Sequence, residues 1–158
     1  MARKLSLKEA KQRAGRFCAL RERSPQEVIE KTRSWGLSEG EAYEITEALV
    51  KDGFVNEQRF ANAFCHDKFE FNSWGKQKIR SAIYSHRLSS RVVDIALERI
   101  DQEKYESRLF DLALKKWTTL TRDEGMKKKQ KTASYLASKG FELDLIWNTI
   151  ESVIQKGH

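Results

Sequence analysis

Three apolar residues, Leu37, Leu88 and Phe141, each stand between two segments of helical period. Five residues after them come Ala42, Val93 and Ile146, and twelve after them Leu49, Ile100 and Val153. The two offsets differ by seven, so the later positions share one face of a helix. A single amphipathic helix cannot bury such a stripe alone. A chain that repeats it must stack the copies. Each pass reads helix, helix, apolar pivot, helix. This predicts an all-α fold, an elongated array of three tandem three-helix repeats. The expected boundaries are a basic tail at 1–7, repeat one at 8–55, repeat two at 56–101 and repeat three at 102–156. One proline and 34% charged residues agree with helix throughout.

Capping chemistry marks the joints. Ser24 and Glu27 form a capping box with Pro25 at the first helical position, and Ser38 pairs with Glu41 in the same way. Asn56 opens the next helix and Ser89-Ser90 another, while Gly36, Gly53 and Gly140 read as stops. FNSWG and TTLTRDEG read as a loop and a linker. The apolar stripes are Ala10, Ala14, Phe17 and Cys18; Phe60, Phe64, Cys65 and Phe69; and Leu143, Ile146, Trp147, Ile150 and Val153. Cys18 and Cys65 lie in such stripes, which predicts buried free thiols of a reducing compartment. The N-terminus has no apolar signal region and no run reaches a membrane span, so the expectation is a soluble, cytoplasmic protein with no membrane contact.

The net charge is +7, and it is unevenly placed. Residues 1–35 carry +6, 36–71 carry −5, 72–99 carry +4, 100–125 carry −1 and 126–158 carry +3. The basic blocks fall on the second helix of each pass and its approach. Stacked repeats would align them into one stripe suited to phosphates or an acidic protein groove. The plainer reading is a set of solvated helix faces. The candidate face comprises Lys76, Lys78, Arg80, Arg87 and Arg91, with Lys127, Lys128, Lys129 and Lys131. Trp74 precedes the first cluster and could stack a base or another partner group. Trp117 and Trp147 have helical partners and read as core.

Nothing in the sequence assembles a reaction centre. His66 and His86 stand apart from cysteines and paired carboxylates, and His158 is the last residue. GKQKI lacks the spacing of a phosphate loop. The reading is therefore no catalytic residue, no metal and no cofactor.

Four blocks in order resemble the RecX regulatory proteins. They are RERSPQEV with Arg21, Arg23, Ser24, Glu27 and Val28; GFVNEQRFA with Gly53, Phe54, Val55, Arg59, Phe60 and Ala61; Gly75 with Ile79; and Lys131, Leu136, Lys139, Gly140 and Phe141. Asn56-Glu57 stands in place of that family's Asp-Asp, and Lys76 in place of its Pro. The resemblance implies three three-helix repeats and a non-enzymatic partner of the RecA recombinase filament in DNA repair and recombination. It implies that the protein damps strand exchange and ATP hydrolysis; the expected oligomeric state is a monomer. The rival reading is a helical repeat module that binds single-stranded DNA directly.

Overall fold

A computed structural model describes residues 5–158. Residues 1–4 of the expected basic tail lie outside the described residues. Among the described residues the chain is all-helical, with nine α-helices and one 3-10 turn. The helices are α1 (Leu7–Leu20), α2 (Pro25–Arg33), α3 (Glu39–Lys51), α4 (Glu57–Asn72), α5 (Lys76–Ile83), α6 (Ser90–Glu98), α7 (Gln102–Thr119), α8 (Gly125–Ser138) and α9 (Leu143–Gln155). The 3-10 turn, Tyr84–His86, follows α5 directly. The expected linker narrows to residues 120–124, and the expected loop at FNSWG narrows to 73–75 because α4 runs on to Asn72.

The capping residues act as their chemistry predicts. Ser24 and Ser38 each accept the amide of the third helical residue, and Glu27 and Glu41 each accept the amide of the cap. Asn56 Oδ1 accepts the Arg59 amide at 2.8 Å, and Ser89 Oγ accepts the Val92 amide at 3.2 Å. Each cap supplies an acceptor for a helix-start amide that has none inside the helix, stabilising by about 1 kcal/mol.

The described residues cluster into two compact units, 5–64 with 83–96, and 65–82 with 97–158. In the first unit α1, α2 and α3 pack on one another around Ala10, Ala14, Cys18, Val28, Leu37, Ile45, Leu49 and Val55. Arg21 and Arg23 hold the start of α2. Arg21 Nη2 donates to Glu27 Oε2 at 2.6 Å, and Arg23 Nε donates to the Phe17 carbonyl at 3.1 Å with its guanidinium 3.8 Å from the Phe17 ring centre. In the second unit α7, α8 and α9 pack together, and the rings of Phe69, Tyr105 and Phe141 form a buried series at 5.7 and 5.1 Å.

All six positions of the periodic overlay are buried: Ala42, Val93, Ile146, Leu49, Ile100 and Val153. Of the pivots, Leu37 and Phe141 are buried and Leu88 is half-buried. A left-handed residue precedes each one: Gly36 (φ 90°), Arg87 (φ 56°) and Gly140 (φ 97°). The turn into the pivot is thus the same in all three passes, with glycine twice and arginine once.

The stripe of α9 is narrower than expected. Ile146, Ile150 and Val153 are buried, but Leu143 is 60% and Trp147 37% exposed. The buried arc follows the spacing 146, 150, 153, and residues 143 and 147 lie on its flank. Trp117 is core, as expected. Both cysteines are buried free thiols, and burial pushes the Cys65 thiol up to about 11.

Candidate functional site

The Trp74 region is built in the second unit by the end of α4 and the start of α5. Two cations hold the last turn of α4. Arg108 Nη1 donates to the carbonyls of Phe69 (2.9 Å) and Glu70 (3.3 Å) and to Ser73 Oγ (3.0 Å). Lys139 Nζ donates to the Asn72 carbonyl at 3.0 Å. Both meet carbonyls at the negative end of the helix dipole; the Phe69 carbonyl also accepts the Ser73 amide. Ser73 then turns the chain in the left-handed region (φ 55°).

The start of α5 is held by tertiary partners. Gly75 N–H donates to the Lys139 carbonyl at 2.8 Å, and Gln77 N–H to the Gly140 carbonyl at 3.0 Å. Lys76 N–H donates to Tyr105 Oη at 2.9 Å, and the Tyr105 hydroxyl donates in turn to Glu142 Oε1. Burial pushes the Tyr105 phenol well above its ordinary range, and its bond to Glu142 adds to that. It remains a neutral donor and acceptor and fixes the entry to α5.

This framework gathers side chains around the half-buried Trp74. The ammonium of Lys78 lies 4.7 Å and that of Lys68 5.0 Å from the indole centre. The Lys76 ammonium lies 4.9 Å over the Tyr105 ring. Such cation–π contacts hold long side chains without neutralising them. Arg80 is exposed, further along α5. The structure therefore brings Trp74, Lys76 and Lys78 together and adds Lys68 and Lys139, which lie outside the expected cationic face. Arg108 and Lys139 reach this loop from α7 and the end of α8, and no local pattern announces that.

The basic run of α8 is in a different condition. Lys127 and Lys131 both pair with Asp123, at 3.7 and 2.9 Å. The hydrogen bond from Lys131 holds the Asp123 carboxyl below its ordinary range, with the charges of Lys131 and Lys127 assisting. Lys129 pairs with Glu151 at 3.2 Å, and Lys128 lies 4.2 Å over Trp117. Lys127 and Lys131 also line a cavity of about 450 Å³ with Lys116, Leu120, Gln130 and Tyr135. Arg87 and Arg91 are exposed and belong to the first unit.

One property unites the helices that carry these cations. α5, α6 and α8 have no acidic residue in the first turn, whereas the other six α-helices each have at least one. Lys76, Lys78, Arg91 and Lys127 thus sit at the positive ends of their helices. A cation there opposes the helix dipole by a few tenths to about 1 kcal/mol. Stability of the helix does not select that placement. Chemically, the Trp74 cluster offers ammonium donors beside an indole, which suits carboxylates or phosphates. Among the described residues, no group of three or more metal-ligating side chains converges and no helix is long and apolar enough to cross a membrane.

Comparison with known proteins places these features in context. Residues 56–97 match the RecX second three-helix domain and residues 103–150 the RecX third three-helix domain. The chain is 28% identical to the regulatory protein RecX of Chlorobium phaeobacteroides over 148 residues, 94% of this chain and 95% of that protein. It is 28% identical to the regulatory protein RecX of Clostridium botulinum over 84% of this chain, and 25% identical to that of Oceanobacillus iheyensis over 87%. It spans 62% and 50% of the lengths of those two relatives. The crystal structure of RecX from Lactobacillus salivarius superposes with a TM-score of 0.86 at 20% identity, covering 94% of this chain and 97% of that one. That likeness is one of fold, a helical repeat array.

Proposed function

Because the chain belongs to the RecX family of regulatory proteins, we propose that it is a non-enzymatic regulator that binds the RecA recombinase filament in the cytoplasm, as a monomer, and lowers its ATPase and strand-exchange activity. The observation that carries this reading is the placement of cations at the starts of α5 and α6, helices with no acidic residue in the first turn. The fold tolerates them, and a polyanionic partner would use them.

The proposed contact residues of the second unit are Trp74, Lys76, Lys78 and Arg80, extended by Lys68 and Lys139; Arg87 and Arg91 are separate candidates in the first unit. Lys127, Lys128, Lys129 and Lys131 are a secondary part, since each is already engaged within the protein. The mechanism is occupancy. A regulator seated on a filament obstructs the incoming duplex or favours one filament state through differential affinity. It needs no chemistry of its own. Co-sedimentation with recombinase, with and without single-stranded DNA, tests this. Capture by the DNA-bound filament at stoichiometric ratio is expected. Capture by naked DNA alone, with a steep salt dependence and no effect of recombinase, favours the rival DNA-binding module.

A further inference from the structure

We propose that an open groove along α1, in the first unit, docks an acidic helical peptide segment with apolar anchor residues. The groove is a separate feature from the Trp74 cluster, which lies in the second unit. It has a volume of about 620 Å³. Its α1 side is Lys8, Lys11, Gln12, Gly15, Arg16 and Ala19. These positions follow helical spacing, so they form a single face of α1. Leu49 and Phe54 complete the lining.

The floor is carbon. Phe54 is 51% exposed, between the exposed turn after α3 and the buried Val55. Gly15 sits in the middle of α1, and a Cβ there would meet nothing within 4 Å. Glycine inside a helix is destabilising relative to alanine, and nothing within this chain requires it at that place. Its missing side chain leaves room for another backbone to approach α1 closely. The rim is cationic. Lys11 reaches Asp52 at 3.4 Å, and Lys8 and Arg16 have no ion-pair partner among the described residues.

Charge decides the occupant. A second copy carries +7 overall, which opposes association, and its excess of acidic residues is confined to part of the chain, mainly 36–71. A phosphate backbone would satisfy the rim but leave the apolar floor wet. An amphipathic helix with leucine or phenylalanine on one face and glutamate beside it matches both.

The test uses a fluorescein-labelled helical peptide of about four turns, with Leu and Phe at i, i+3, i+4 and i+7 and Glu elsewhere. Saturable binding by anisotropy is expected, with amide shifts at Gly15, Ala19 and Phe54 in labelled full-length protein. Arg16→Glu should weaken binding about tenfold or more. Gly15→Leu should abolish it while leaving the circular dichroism and unfolding transition intact. The proposal is overturned if the wild-type protein shows no saturable binding, or if a Lys-for-Glu peptide binds as tightly. It is also overturned if Gly15→Leu has no effect, if a single-stranded oligonucleotide produces the same amide shifts, or if the groove mediates a concentration-dependent dimer. The assay contains no recombinase, so its failure is distinguishable from failure of the filament reading.

Discussion

Gly75 and Gly140 touch backbone to backbone. A Cβ on Gly75 would lie 2.3 Å from the Gly140 carbonyl carbon, and a Cβ on Gly140 would lie 2.3 Å from Lys78 Cβ. The start of α5 is thereby locked onto the turn that follows α8, and the Trp74 cluster depends on that lock. Gly75→Ala should cost roughly 2–3 kcal/mol through overpacking. Gly140→Ala should cost more, because its φ of 97° adds left-handed strain to the clash. Urea unfolding midpoints of the two variants check the order.

Arg87 occupies the left-handed position that Gly36 and Gly140 occupy in the other two passes. A non-glycine residue there is strained, and Arg87 is exposed with nothing in its own packing to require it. Arg87→Gly should stabilise the fold by up to about 1 kcal/mol. Under the proposed function it should also weaken filament binding. Gain in unfolding midpoint with loss of co-sedimentation is the expected pair.

Arg108 is the terminal clasp of α4. Its guanidinium serves two carbonyls and a hydroxyl, and it packs 4.8 Å from the Phe69 ring. Arg108→Met should cost about 2 kcal/mol, the worth of charge-assisted bonds to partly buried carbonyls. Arg108→Lys should recover little of it, because one ammonium cannot reproduce the planar fork. Thermal unfolding of the three proteins measures this.

His86 makes stability depend on pH. Ser24 Oγ accepts the Glu27 amide, and it lies 2.7 Å from His86 Nδ1. Phe60 and Phe64 pack on the ring, at 4.7 and 5.5 Å. Burial lowers the His86 pKa below its ordinary 6.5, against the opposing pull of Glu27. In the window below 6.5 the unfolded chain therefore binds more protons than the folded one. Stability from this group is full above pH 6.5 and falls as pH drops through the folded value. Equilibrium unfolding between pH 7.5 and pH 5 should show that fall, and His86→Gln should flatten it.

Much of this fold is legible in the sequence because its determinants are local. The Ser24–Glu27 and Ser38–Glu41 boxes, the Asn56 cap and the six overlaid apolar positions need only short-range spacing to be read. Trp147 shows the limit of periodicity, which gives the direction of a stripe but not its width. The candidate site is less legible. Trp74, Lys76 and Lys78 are neighbours in sequence, but Lys68, Lys139 and Arg108 join them only through tertiary contacts. The pairing of Lys127 and Lys131 with Asp123 is equally hidden, because a run of lysines does not show which carboxylate it will meet.

The central claim is most directly tested by recombinase ATPase activity on single-stranded DNA, with the purified protein and two variants. The account predicts that wild-type protein at stoichiometric ratio lowers the rate. It predicts that Lys78→Glu and Arg80→Glu together relieve most of that effect while the circular dichroism remains that of the folded helical protein. An unaltered rate with wild-type protein, or full suppression by the charge-reversed variant, would contradict it.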